Sequence, residues 1–130
     1  MAYRIVTLVS SADPAACVDQ ARVVQATEPF SVRDVRAFES GTALDFRLDF
    51  DGGGECYVEV DIMPELIAWY GSKYEAEKGT PFDPVPNVLT SWTIGGAIDL
   101  DAMHQVADAV TPGTFVTAWD DVTGFDVQWR

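Results

Sequence analysis

The chain has 130 residues, 48% of them hydrophobic and 22% charged, an ordinary globular composition that fits one domain and argues against disorder. A chain of this length can bury roughly two thirds of the surface its unfolded form exposes, enough for a core without disulfide or metal support. Twenty-one acidic against 8 basic residues give a net charge of −13, and such a surface repels phosphate backbones, so no nucleic-acid partner is expected.

The longest apolar runs, such as Ile5 to Val9, fall far short of the roughly 20 residues a membrane helix needs, and the first residues lack the basic-then-apolar order of a signal peptide. No membrane partner and a cytoplasmic location are therefore expected. Cys17 and Cys56 are too isolated to form a disulfide framework or a zinc site and read as buried thiols. The acidity is uneven: between Gly79 and Trp129 there are seven aspartates and no Lys or Arg.

Taken in chain order, Tyr3 to Val9 is rich in β-branched residues and predicts a strand. Asp13-Pro14 then predicts a helix start, with Cys17, Ala21 and Val24 on one stripe and a stop before Glu28-Pro29. Phe30 to Glu39 predicts an irregular strand, because Asp34 and Arg36 interrupt its alternation; a bulge or an edge position accounts for that. In Thr42 to Phe50, Leu44, Phe46, Leu48 and Phe50 alternate with Asp45, Arg47 and Asp49, and in the next strand Cys56, Val58, Val60 and Ile62 alternate with Tyr57, Glu59 and Asp61. Asp51-Gly52-Gly53-Gly54 joins them as a hairpin turn.

The apolar positions of both hairpin strands must share a face, so paired residue numbers sum to an even value. A loop of about five residues places Phe50 opposite Cys56, Arg47 opposite Glu59 and Asp45 opposite Asp61. One of about three places Phe50 opposite Gly54, Arg47 opposite Tyr57 and Asp45 opposite Glu59. The first is favoured, since it gives Arg47 an opposite charge and Phe50 an apolar neighbour.

Met63-Pro64-Glu65 predicts a second helix ending at Gly79, with Leu66, Ile67, Tyr70 and Tyr74 as its core stripe and Trp69 beside it. Pro81, Pro84 and Pro86 mark a stiff connector. Val88 to Ile94 predicts a strand closed by Gly95-Gly96; Asp99 or Asp101 caps a third helix carrying Met103, Val106, Ala107 and Val110. Thr114 to Trp119 and Phe125 to Trp129 predict a closing hairpin. The fold class is therefore α+β, a mainly antiparallel sheet of about six to seven strands with three helices on one face, in the order β-α-β-β-β-α-β-α-β-β.

Several motifs fail on their context. His104, the single histidine, lies between Asp101 and Asp108 on a helix but has no second histidine or cysteine to complete a transition-metal site, so a solvated helical face is expected. The glycines of 51–54 precede a strand and lack the following Lys or Ser/Thr of a phosphate-binding loop. At Gly95-Gly96 an anion would meet Asp99 and Asp101. No serine sits in a nucleophile-elbow context. No catalytic residue, metal ligand or cofactor is assigned.

What remains is a surface. Asp45, Asp49, Glu59 and Asp61 project from one face of the central hairpin, spread along a line rather than converging on an ion. Either this is a solvated sheet face or it docks a basic protein partner. Tyr57, Trp69, Phe82 and Trp92 are the aromatic residues that could anchor such a partner. A folded acidic domain with spare aromatics and no assembled active site suits an inhibitor, immunity protein or antitoxin acting on a basic, nuclease-like protein, because acidic charge speeds capture of such partners. The alternatives are a small-molecule or enzymatic pocket lined by Tyr70, Tyr74, Trp92 and His104, and an assembly subunit pairing through an apolar edge along Phe30 to Phe38. Six arginines against two lysines also fit a GC-rich or high-salt origin of the charge, in which case the acidity reflects habitat.

Overall fold

Hydrophobic alternation explains most of the architecture seen in the computed structural model, which describes residues 3–129. The strands are β1 (Tyr3–Ser10), β2 (Val32–Ala37), β3 (Ala43–Asp49), β4 (Glu55–Asp61), β5 (Val88–Gly95) and β6 (Thr114–Asp120). The helices are α1 (Gln20–Thr27), α2 (Pro64–Lys78) and α3 (Leu100–Val110), with a short 3-10 turn at Pro14–Val18. The strands form one sheet of order β2-β3-β4-β5-β1-β6, antiparallel at every step. No helix among the described residues is long and apolar enough to cross a membrane.

The helix expected to start at Asp13-Pro14 is divided. Asp13 makes no side-chain cap, the chain turns through the 3-10 segment, and Asp19 adopts an extended conformation. Its carboxylate accepts the N–H groups of Ala21 and Arg22, at 3.0 and 3.3 Å. This second cap captures the true start of α1. α2 obeys its predicted limits and ends on Gly79 in the left-handed conformation. α3 is capped by Asp99, which accepts the Ala102 N–H at 3.1 Å.

The hairpin takes the shorter of the two registers, correcting the favoured one: Arg47 faces Tyr57 and Asp45 faces Glu59. The turn decides it. The Phe50 N–H donates to the Gly54 carbonyl at 2.8 Å and the Gly53 N–H to the Phe50 carbonyl at 3.0 Å, with Gly53 at a φ of 89°. Only a residue without a side chain adopts that conformation freely. β2 is an edge strand and bulged, with a register shift between Arg33 and Arg36 and Asp34 at a φ of 58°. The bulge and its charged residues blunt the edge, which counts against the assembly-subunit alternative.

The helices do not share one face of the sheet. α1 and α3 cover one side, burying Leu44, Phe46, Val58, Val60 and Trp92 with Val23, Met103 and Val106. α2 lies on the other, where Ile67 and Tyr74 pack on Val6, Leu8, Leu89 and Trp119. β1 and β5 are accordingly buried on both faces, as continuous apolar runs should be. The expected final strand is absent: Phe125 to Trp129 meets β6 through a single bridge, between Trp119 and Asp126. Phe125 stays exposed while Trp129 leaves the sheet to pack against Trp92 and His104, at ring distances of 5.4 and 4.7 Å.

Candidate functional site

α2 covers the β5-β1-β6 half of its face and leaves the β2-β3-β4 half open. The odd-numbered residues of β3 and β4 therefore face outward, joined by Arg33 and Arg36 from β2. At the centre is Asp45. Although its half of the sheet has no helix above it, it is only 1% exposed, because three side chains close over it. Arg36 forks onto the carboxylate, Nε to Oδ1 at 2.8 Å and Nη2 to Oδ2 at 3.1 Å. The Tyr57 hydroxyl donates to Oδ2 at 2.6 Å, and the Arg47 guanidinium lies over the Tyr57 ring, 5.1 Å from its centre. Arg33 gathers a second group, donating to Asp49 at 2.9 Å, Asp34 at 3.0 Å and Glu55 at 3.4 Å.

The electrostatics of Asp45 follow from two opposed effects. Burial alone would raise its pKa, but the hydrogen bonds from Arg36 and Tyr57, aided by the charges of Arg36 and Arg47, overcome this and hold it below the usual carboxylate range. Tyr57 shifts upward, through burial and the carboxylate it serves. Counting Asp45 itself, this half of the sheet carries six carboxylates, Asp34, Asp45, Asp49, Glu55, Glu59 and Asp61, against three arginines, so the open half is net negative. Among the described residues neither Glu59 nor Asp61 forms an ion pair, and Asp61 accepts only the Met63 N–H. Both line a small recess of about 100 Å³ whose apolar side is Phe38, Leu66 and Tyr70.

Asp49, Tyr57, Glu59 and Asp61 are thus brought together on one accessible face, with Asp45 buried beneath it. The predicted aromatics scatter. Trp69 is 58% exposed on the outer side of α2, edge-on to Tyr70, with the Lys73 ammonium 5.6 Å from its ring. Phe82 is half-buried on the far flank of α2, stacked on Tyr74. Trp92 is 1% exposed in the core on the opposite side of the sheet, its indole N–H directed at the Thr7 hydroxyl at 3.4 Å, so it presents no surface to a partner. The pocket expected between Tyr70, Tyr74, Trp92 and His104 does not form, because the sheet separates the first pair from the second.

The three arginines were missed as site residues. Arg36 looks like a flaw in an apolar pattern until the bulge at Asp34 returns it to the face that Arg33 occupies. The sequence signal for the bulge is Asp34 within a broken alternation, a residue type tolerant of the left-handed conformation it adopts here, at a φ of 58°. The face offers fixed donors and acceptors, with no nucleophile set against a base among them. No group of three or more His, Cys, Asp and Glu among the described residues is placed to hold a metal ion. Comparison with known proteins finds no matching family, no matching curated protein and no matching solved structure.

Proposed function

We propose that the chain is a protein-binding domain that captures a basic protein on the open β2-β3-β4 half of its sheet, as an inhibitor, immunity protein or antitoxin captures a nuclease-like target. The observation that carries this reading is the construction of the face: Arg36, Tyr57 and Arg47 immobilised over a buried Asp45, with Glu59 and Asp61 beside them unpaired. Arg and Tyr are the residue types that dominate binding hot spots, and here their rotamers are already restrained, which lowers the entropy lost on association. The unpaired carboxylates and the −13 net charge supply attraction, raising the rate of encounter with a basic surface by a factor of about 10–1,000 at low salt.

The test is affinity capture from the native lysate at about 50 mM and about 500 mM salt, with an Asp49→Asn/Glu59→Gln/Asp61→Asn variant beside the wild type. Asp45 is left intact because it is structural. The expected result is a stoichiometric basic protein that the wild type retains, the variant loses and salt weakens. A partner retained equally by the variant, or none in either salt, overturns the proposal. Acidity owed to a high-salt habitat predicts the latter, together with stability that climbs steeply into molar salt.

A further inference from the structure

On the far flank of α2 from the open sheet, the proline-containing connector returns along the helix and leaves a cleft of about 360 Å³. Ile67 and Gly71 form its helix side, Phe82, Val85 and Pro86 its connector side, and Ile62 adds to the apolar lining. Its size falls within the roughly 300–1,000 Å³ of small-ligand sites, and its walls are mostly apolar, as such sites require. Both walls are held in place. Phe82 stacks on Tyr74 at 5.5 Å, Tyr74 stacks on Trp119 at 4.7 Å, and the Phe82 N–H donates to Glu75 Oε1 at 2.8 Å. At the far end the Asn87 side chain exchanges two hydrogen bonds with the Ser11 backbone, at 2.7 and 2.8 Å. The cleft is therefore formed in advance of any occupant.

Gly71 is the second observation. It sits in the middle of α2, where glycine weakens a helix through lost backbone entropy. Nothing in the backbone calls for it: its φ is not positive, and a Cβ there would meet only the Phe82 ring, at 3.8 and 3.9 Å, an ordinary contact. The effect of the missing side chain is to leave the floor of the cleft bare. The one charged residue on the lining is Glu75, whose Oε1 accepts the Phe82 N–H and so fixes the connector.

We infer that this cleft is a binding site for a small organic cation, an ammonium group carried on a compact aromatic or branched aliphatic body. The apolar walls take the body, and Glu75 accepts a charge-assisted hydrogen bond from the ammonium. A carboxylate-bearing analogue of the same shape meets both Glu75 and the −13 charge of the chain and is rejected. The site is separate from the open sheet half and does not depend on the protein partner proposed above.

The experiment titrates the full chain, labelled with ¹⁵N, with 2-phenylethylammonium, with neutral 2-phenylethanol and with phenylacetate. Saturable shifts of the Gly71, Ser72 and Phe82 amides with the cation, weaker ones with the alcohol and none with the anion are expected. Glu75→Gln keeps an oxygen for the Phe82 N–H and should weaken the cation about tenfold while leaving the alcohol unchanged. Gly71→Leu should abolish both, and Gly71→Ala, which helix propensity favours, should bind more weakly while melting no lower than the wild type. No saturable shift, equal binding of cation and anion, or an undiminished affinity in Glu75→Gln overturns the inference.

Discussion

Arg36→Ala removes both guanidinium bonds from Asp45, takes away one of the three side chains that cover it, and leaves the Tyr57 hydroxyl as its main support. Removing one partner of a buried ion pair costs about 3–5 kcal/mol when the survivor cannot reach water. Asp45 gains access to water once the 69%-exposed Arg36 side chain is gone and keeps the 2.6 Å bond from Tyr57, so a smaller penalty of about 1–3 kcal/mol is expected near neutral pH. In the wild type the Asp45 pKa is depressed, so its contribution is present above the unfolded carboxylate value and lost as the pH falls through the lower folded one. Without Arg36 the largest of the effects that depress the Asp45 pKa is lost, so the variant has less of this contribution to lose in acid than the wild type. The penalty measured by urea unfolding should therefore be full near pH 7 and shrink only as the pH falls below about 4. An Asp45→Asn background should reduce the effect of Arg36→Ala to about 1 kcal/mol or less, since the exposed guanidinium then has no buried charge to balance. A penalty below about 1 kcal/mol at neutral pH, or one that grows on acidification, would refute the reasoning.

Gly54→Ala should cost about 3 kcal/mol or more, because a Cβ there would stand 1.7 Å from the Ala97 carbonyl oxygen, a backbone atom that cannot step aside. Its neighbour Gly53→Ala, at a φ of 89° but in open space, should cost only about 1–2 kcal/mol; equal midpoints in chemical denaturation would contradict this ordering. Burial pushes the Cys56 thiol up to about 12, and burial also raises Cys17 despite the opposing effect of its hydrogen bond with Ser11. Neither should react with an aromatic disulfide reagent in the native protein near pH 8, whereas both should label promptly in denaturant; rapid native labelling would show that the core opens more readily than its packing implies.

Much of this protein is legible from local pattern. The two-residue period of Leu44 to Phe50 and Cys56 to Ile62 dictates strands and assigns Asp45, Tyr57, Glu59 and Asp61 to one side, since successive side chains must alternate. Met63-Pro64 and Gly79 bound α2 because a helix end needs particular backbone conformations, and Asp99 caps α3 for the same reason. The irregularity of 30–39 correctly signals a bulged edge strand.

Other features depend on atoms far apart in the chain. Period alone says which residues share a face but not which helix covers it, so the placement of α2 opposite α1 and α3 emerges only when β1 and β5, apolar on both sides, require cover on both. The hairpin register rested on the conformation available at Gly53 and the contact of Gly54 with Ala97, neither of which charge pairing in the strands could reveal. Trp92 and Trp129 looked like free aromatics and a closing strand, yet they meet under α3, where burying two indoles outweighs extending the sheet by one marginal strand. The acidic line read from the hairpin became a mixed face for the same reason: Arg36 reaches Asp45 only across a strand pair and past a bulge, and the sequence holds no record of that distance.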